Sequence, residues 1–553
     1  MELFYRQFSW CRMQARRQHF LLMFSRLKAW KAQQGKYNSI NCDEIIRRLS
    51  LTATEIPASA GVCMVSQIYR KHIEVLLRQK LVMDTLYSSL LPELMCHIHY
   101  PDRLLSMPLP PAWRKALKAR GVCFNPLSSR FNWVVFQGKY FIIGLRRAAQ
   151  LIRDCGSLQQ APEGGYAVLM NLPTDAVPHE LNCGEKRVCF VSWYDKSMFR
   201  TEGETIYAHV PGANNEYRRK ELLISPHPFP KLESALNKLE FFGKAVWLLL
   251  VTLVQFVFGK WWAPLLLEDA VQLKYMQCVG KEKLAQKYLF NNSVWARRPL
   301  WTYYAEQKGC RIIMAFYSTN ITPSKGQNGI SSSIVAGYEI MSWPEYAVWD
   351  KDQCDFICSV TKDKSKTVHI TGPIPMSDSG SVLPEIPVKS IAVFDVSVFR
   401  PGFLASLGVI VPYYTSKVVM EFLLETHRAI SQEGWTMILK QKRIIGSKAD
   451  KDYIRLIEKL SCEDNVLIIE PDINAERVIK KVAAVISIPY TSTALLGIEA
   501  GKPSIYYDAM AQLKIENRAK HGIRIFDNVS SLTKWISDLR YPRSADEKHI
   551  DKN

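Results

Sequence analysis

The clearest alternation of apolar and polar positions lies in the last third of the chain. Short apolar runs at 391–396, 435–440, 466–469, 484–488 and 504–507 read as strands, and amphipathic stretches at 415–431, 450–460, 474–482 and 530–539 read as helices. Strands alternating with helices predict a doubly wound, Rossmann-like parallel sheet. One unit organises this region. The strand 484–488 ends at Pro489-Tyr490, hydroxyls follow at Thr491, Ser492 and Thr493, a helical run continues to Ala500, and Gly501 and Pro503 stop it. Hydroxyls and backbone N–H groups at a helix start make an anion site, although Ser and Thr are also ordinary N-caps.

Upstream the texture is similar but less regular. Strands are predicted at 166–170, 187–191, 205–210, 309–316, 338–341, 346–349, 355–360 and 367–371, which makes a second α/β domain. The polar, Gly/Pro-punctuated stretch 377–388 reads as a linker. Residues 12–36, 68–91 and 110–118 read as basic helices. The expected domains are a helical basic region at 1–150, a first Rossmann-like domain at 151–385 and a second at 386–553.

One segment breaks the pattern. No charge stands between Lys244 and Lys260, a run of about 15 residues where a perpendicular span needs roughly 20. Trp261, Trp262 and Leu265 to Leu267 extend it, so 241–268 is an apolar patch with lysines and paired tryptophans at its edge. Three readings are open: a helix dipping into one leaflet, a buried core helix, or a true span.

Composition narrows the partners. With 72 Lys+Arg against 52 Asp+Glu the formal net charge is +20, which suits polyanions. No finger, aromatic RNP strand or basic zipper is present, so nucleic acid is not expected and anionic membrane surfaces or phosphorylated substrates are. The 13 cysteines follow no regular spacing, and Cys96, His97 and His99 have no second ligand pair, so the thiols are expected to be reduced. The N-terminus shows no signal-peptide pattern; a cytoplasmic protein, peripheral or monotopic on the inner face of the cytoplasmic membrane, is expected. No G-x-G-x-x-G follows the first strand of the last domain and no Walker lysine motif occurs, so no bound cofactor is expected.

Pro489-Tyr490-Thr491-Ser492, with Ala494, Glu499, Gly501-Lys502-Pro503 and Asp508 downstream, resembles bacterial surface-polysaccharide biosynthesis proteins named for a Pro-Phe-Thr-Ser motif, with Tyr490 in place of Phe. Arg298-Pro299-Leu300-Trp301 and Tyr317-Ser318-Thr319-Asn320 add to the resemblance, which covers roughly 290–510. It implies a GT-B-like fold, two Rossmann-like domains facing a cleft, and a membrane-associated glycosyltransferase. The partners would be a nucleotide-sugar, with a CMP-activated acidic sugar one option, and a glycan or lipid-linked acceptor. Related CMP-sugar transferases carry a His-Pro pair where this chain has Lys440-Gln441-Lys442-Arg443.

On this resemblance the leaving phosphate falls to Thr491, Ser492 and Thr493, with Lys440, Lys442 and Arg443 beside them; that basic cluster reads equally as a solvated loop. Glu499, about two turns along the helix, would bind ribose or stand as a surface glutamate. Asp395, at the end of its strand, would line the cleft or cap a loop. Asp350 is the first candidate for the base, with Glu345 and Asp195 as alternatives; an acid after a strand is also a common helix cap. No Asp-x-Asp stands at a strand end, so metal-independent chemistry is expected. A GT-B sugar epimerase, a CDP-alcohol phosphotransferase and a non-catalytic assembly protein remain alternatives.

Overall fold

The structure is a computed structural model that describes residues 63–81, 104, 106, 108–119, 124–154, 165–177, 189–213, 216–219, 221–291, 297–318, 325–326, 340–361, 365–375, 381–400, 413–443, 446–514 and 521–539. The predicted helix 12–36, the Cys96/His97/His99 cluster and Asn320 lie outside them.

The first sheet comprises β1 (Tyr166–Met170), β2 (Thr205–His209), β3 (Tyr217–Arg219), β4 (Leu222–Ser225), β5 (Lys287–Asn291) and β6 (Arg311–Ala315), then β8 (Glu345–Val348) and β9 (Thr367–Ile370) after a short strand β7 (Lys325–Gly326) that pairs elsewhere. Its order is β3-β4-β2-β1-β5-β6-β8-β9, parallel except for β3. The direction of winding reverses between β1 and β5.

The second sheet comprises β10 (Ser390–Phe394), β11 (Thr436–Lys440), β12 (Val466–Ile469), β13 (Ala484–Ser487) and β14 (Ser504–Tyr507), then β16 (Arg524–Phe526). Its order, β12-β11-β10-β13-β14-β16, is wholly parallel, and it reverses between β10 and β13. The strands are apolar along their length, as burial on both faces demands. The remaining strand, β15 (Leu513–Lys514), pairs with β7 and so ties the two halves together. This is an α/β fold with two Rossmann-like parallel sheets, as expected. Linker residues 381–388 carry neither helix nor strand.

The helices are α1 (Arg70–Leu81), α2 (Pro111–Lys118), α3 (Pro126–Asp154), α4 (Phe190–Lys196), α5 (Ala235–Val257), α6 (Trp262–Cys278), α7 (Leu300–Gln307), α8 (Lys351–Val360), α9 (Ser416–Gln432), α10 (Lys451–Leu460), α11 (Ala475–Lys481), α12 (Ser492–Glu499) and α13 (Val529–Ser537). Two predicted strands are corrected. Residues 190–191 belong to α4 and 355–360 to α8. In 355–360 Phe356 and Ile357 are buried while Asp355, Cys358 and Ser359 are exposed, a helical stripe that six residues mimic as a strand. The expected domain boundary lies at 150. It falls inside α3, and Leu77, Trp133 and Leu151 share one apolar core with Tyr166, Tyr288 and Trp301 of the first domain.

The apolar patch divides. In α6, Leu265, Leu266 and Leu267 are buried, whereas α5 buries Phe241, Ala245, Leu248 and Thr252 on one side only. Helix α6 packs between α3 and α5, and Gly144 of α3 lets the backbones approach: a Cβ there would stand 2.5 Å from Leu267 Cγ. Lys80 of α1 is fully buried, and its ammonium pairs with Asp269 of α6 at 2.5 Å and donates to the Leu265 carbonyl at 2.6 Å.

Candidate functional site

In open α/β sheets a ligand crevice forms beyond the carboxyl ends of the strands where winding reverses. In the second sheet that place lies between β10 and β13. Their ends are tied, Ile488 N donating to Phe394 O at 3.0 Å. Pro489 and Tyr490 then turn the chain into α12. Tyr490 has φ +64°, a left-handed conformation that costs an L-residue about 1–2 kcal/mol, and its buried ring stands 6.2 Å from that of Tyr506. Tyr414 OH donates to Pro489 O at 2.7 Å and Tyr506 OH to Thr491 O at 2.9 Å, so two tyrosines clamp the strained turn.

The hydroxyls at the start of α12 form a chain. Thr491 Oγ1 donates to Ile488 O at 2.9 Å and lies 3.3 Å from Thr493 Oγ1, which lies 2.9 Å from Ser487 Oγ. Thr491 therefore occupies the cap position without capping. At the starts of α5, α8, α9, α10, α11 and α13 the cap residue accepts from a first-turn N–H instead. The cap that hydroxyls at this position predict is not made by Thr491, and the positive end of the α12 dipole is left without that oxygen. Gly497 sets how near α12 comes to its strands, since a Cβ there would meet Ser504 Oγ at 2.1 Å and Val485 Cγ2 at 3.0 Å.

Asp395 follows β10 directly and is 3% exposed. One oxygen accepts from Tyr453 OH; the other makes no hydrogen bond among the described residues, the Lys442 backbone N–H lying near without bonding geometry. Burial pushes this carboxyl up to about 7, against the opposing pull of the Tyr453 hydroxyl and the Lys440 charge. A buried acid with one unbonded oxygen accepts from a hydroxyl when ionised and donates to a phosphate oxygen when protonated.

The basic cluster separates in space. Lys440 ends β11, is 5% exposed, and its ammonium donates to the Gln441 and Pro471 carbonyls at 2.9 and 2.8 Å. Burial lowers it to about 8. Lys440 therefore acts on this site as a field rather than as a phosphate ligand, whereas Lys442 and Arg443 are exposed. Glu499 is exposed at the far end of α12, a surface glutamate in position.

The three candidate bases do not converge. Asp350 caps α8, accepting from Gln353 N at 2.8 Å, and its other oxygen lies 2.7 Å from His521 Nδ1 in the second domain. Burial would raise this carboxyl, but the His521 hydrogen bond and charge outweigh it and hold it below its ordinary value. With both oxygens bonded it joins the domains rather than standing ready to take a proton. Glu345 begins β8, at the opposite end of the strand from the crevice side. Arg311 holds it at 2.6 and 3.0 Å and His369 at 2.9 Å, which overcomes the upward push of burial. Asp195 lies on α4 rather than at a strand end, is mostly exposed, and pairs with Arg200 at 3.3 Å. Asp350, Asp352 and His521 offer ligand atoms within 4.8 Å of one another, a set with the chemistry to hold a cation.

Sequence reading missed the residues around the turn. Tyr414 and Tyr453 are ordinary aromatic positions in the linear pattern. Asp508, buried after β14, accepts from Tyr413 OH at 2.8 Å and from Leu513 N at 2.9 Å. Asp508 enters the sequence reading only through the motif resemblance; its place directly after a strand, as Asp395 follows β10 two strands away, was the available signal for a role at the site.

A single apolar cluster takes Ile313, Ala347 and Trp349 from the first domain and Ala494, Leu495 and Tyr506 from the second, so α12 packs where the two sheets meet. Three solved structures are similar. S. aureus TarM matches at 11% identity and TM-score 0.31 over 49% of this chain and 51% of TarM, so the chain spans about half the length of that protein. The Methanocaldococcus jannaschii UDP-GlcNAc 2-epimerase matches at 11% and 0.32 over 68% and 92% of the two chains, and the kitacinnamycin glycotransferase at 12% and 0.34 over 68% and 91%. At such scores none of the three bears on what this chain does. No curated protein matches in sequence. The model of one family does match, over residues 252–536, just over half of the chain and inclusive of the Pro489-Tyr490-Thr491-Ser492 turn. The chain belongs to the polysaccharide biosynthesis PFTS motif family.

Proposed function

We propose that this protein is a metal-independent glycosyltransferase that moves a sugar from a nucleotide donor to a surface-polysaccharide or lipid-linked acceptor at the inner face of the cytoplasmic membrane. The carrying observation is the pairing of two features at the reversal point of the second sheet: a helix start whose threonine does not cap it, and a buried Asp395 oxygen without a partner. An anionic diphosphate or monophosphate fits the first and a ribose or phosphate oxygen fits the second. Family membership supports the polysaccharide setting. Thr491, Ser492 and Thr493 hold the leaving phosphate, and Lys442 and Arg443 add exposed positive charge near it. Lys440 tunes Asp395 from behind.

The test is sugar transfer. Purified protein is incubated with radiolabelled CMP-, UDP- and GDP-sugars and with bacterial membranes as acceptor. Label moving into the polymer or lipid fraction from one donor supports the proposal. Epimerised donor without transfer moves the protein to the epimerases, and transfer of a phosphoalcohol from a CDP donor moves it to the phosphotransferases. Absence of turnover with every donor contradicts the enzyme reading and leaves the assembly role.

A further inference from the structure

The three-helix layer of the first domain carries a surface that its fold does not use. Helix α5 buries one stripe against α6; its opposite side, from Phe242 through Trp247 and Leu250 to Phe258, is exposed, with Trp247 60% exposed. Lys244, half-buried and paired with exposed Glu240 at 2.5 Å, marks the start of this stripe, and no charged side chain stands between it and Lys260. Helix α3 lies across α6 and also touches α5. Its outer side exposes Phe131, Val134, Val135 and Ile142 at spacings that share one face, and Arg130, Lys139 and Arg146 are exposed along its edges. The only acid in α3 is Asp154, which is buried at its last position. Solvent-exposed apolar area of this extent on neighbouring helices marks an interaction surface. A protein partner would be matched by mixed charge, whereas an apolar face rimmed mainly by cations, with Glu240 near the start of α5 the one exposed acid of the two helices, matches the boundary between acyl chains and anionic head groups.

We infer that the outer faces of α3 and α5 together dock on an anionic lipid bilayer, with α5 lying in the plane of the interface instead of crossing it. At about 1.5 Å per residue α5 is about 35 Å long, long enough to span. Its buried stripe decides otherwise: Phe241, Ala245 and Leu248 pack within the same core as α6, and a spanning α5 would have to leave that core and strip the apolar side of α6. The basic residues of α3 extend the lysine-flanked rim along the docked face. This inference deepens the membrane-proximal acceptor of the proposed function and rests on that reading only for its purpose, since vesicle binding is measured without substrate.

The test is flotation of the full chain with vesicles of phosphatidylcholine alone and of phosphatidylcholine with one-third phosphatidylglycerol. The chain is expected to float with the anionic vesicles, at least about tenfold more weakly with the neutral ones, and to be released by high salt and by alkaline carbonate. Trp247→Glu with Leu250→Glu, and separately Lys139→Glu with Arg146→Glu, are expected to weaken flotation about tenfold each. Both pairs are surface positions remote from the strand ends, so nucleotide-induced thermal stabilisation should stay as in the wild type. Resistance to carbonate overturns the in-plane geometry. Failure to float with either vesicle overturns the docking face, as does a stable dimer by light scattering that the α5 pair dissolves. Nucleotide stabilisation retained without flotation sinks this inference and leaves the proposed function standing; flotation without any nucleotide response does the reverse.

Discussion

Asp395 makes the stability of the second sheet depend on pH in a window where few carboxyls act. Burial holds its folded value at about 7, and an unfolded aspartate titrates near about 3.9. A carboxyl whose folded value lies above its unfolded one binds its proton more tightly in the folded state. Stability therefore falls as pH rises from about 4 to about 7 and is level above that. At 1.36 kcal/mol per pH unit the full effect approaches about 4 kcal/mol. Lys440, lowered to about 8, loses its proton in the folded state before an unfolded lysine does, a difference confined to about pH 8 to 10 that leaves this window untouched. Asp395→Asn keeps an acceptor for Tyr453 OH and removes the titration. Its amide adds buried donors of its own, a cost that does not vary with pH and is subtracted as the offset at pH 4. The assay is amide hydrogen exchange of β10 and β11 between pH 4 and 8, corrected for intrinsic rates, which reads the opening free energy of this sheet. The wild type should lose stability across the window relative to the variant. Parallel profiles for the two proteins would refute the argument that a buried, half-satisfied Asp395 is held against ionisation.

Three further outcomes follow from other positions. Gly497→Ala sets a Cβ against Ser504 Oγ, which can turn away, and within 3.0 Å of Val485 Cγ2 and 3.2 Å of Ser504 Cβ, which yield only by a shift of α12 against its strands; about 1–3 kcal/mol of stability should be lost, read from the urea midpoint, and an unchanged midpoint would show that the turn has slack. Lys80→Ala leaves Asp269 buried without its cation and should cost about 3–5 kcal/mol in the same measurement, with Lys80→Met/Asp269→Leu recovering most of it. Asp350→Asn retains the α8 cap and loses the charge opposite His521. Sugar transfer should stay within about tenfold of the wild type, and a loss beyond about a hundredfold would return Asp350 to the role of base.

The second domain was legible because its strands are buried on both faces and bounded by Gly, Pro and capping residues, so run length alone separates strand from helix. The motif turn was legible for the same reason: Pro489 and Gly501 punctuate it on both sides. What pattern could not carry was the use of each hydroxyl. Thr491 at a cap position predicts a cap, and only the geometry shows its oxygen turned back to Ile488. The basic run at Lys440, Lys442 and Arg443 reads as one cluster along the chain, yet the strand end buries the first and exposes the others. In the first half, the apolar run 241–268 gave one continuous signal for two helices with opposite fates, because hydrophobicity does not say whether protein or another medium covers a face. Helix α3 was not among the helices expected in the basic region, which lay at 12–36, 68–91 and 110–118.

The most direct test of the central claim is thermal stabilisation by CMP, CDP, UDP and GDP, measured on the wild type and on Thr491→Ala/Ser492→Ala, each against its own ligand-free baseline. A nucleotide at about 100 times its dissociation constant adds about 2.7 kcal/mol to the folded state. The unfolding temperature of the wild type is expected to rise with one nucleotide class, and that of the double variant is not. No rise with any of the four, or an equal rise in the variant, would contradict the placement of a nucleotide donor at the start of α12.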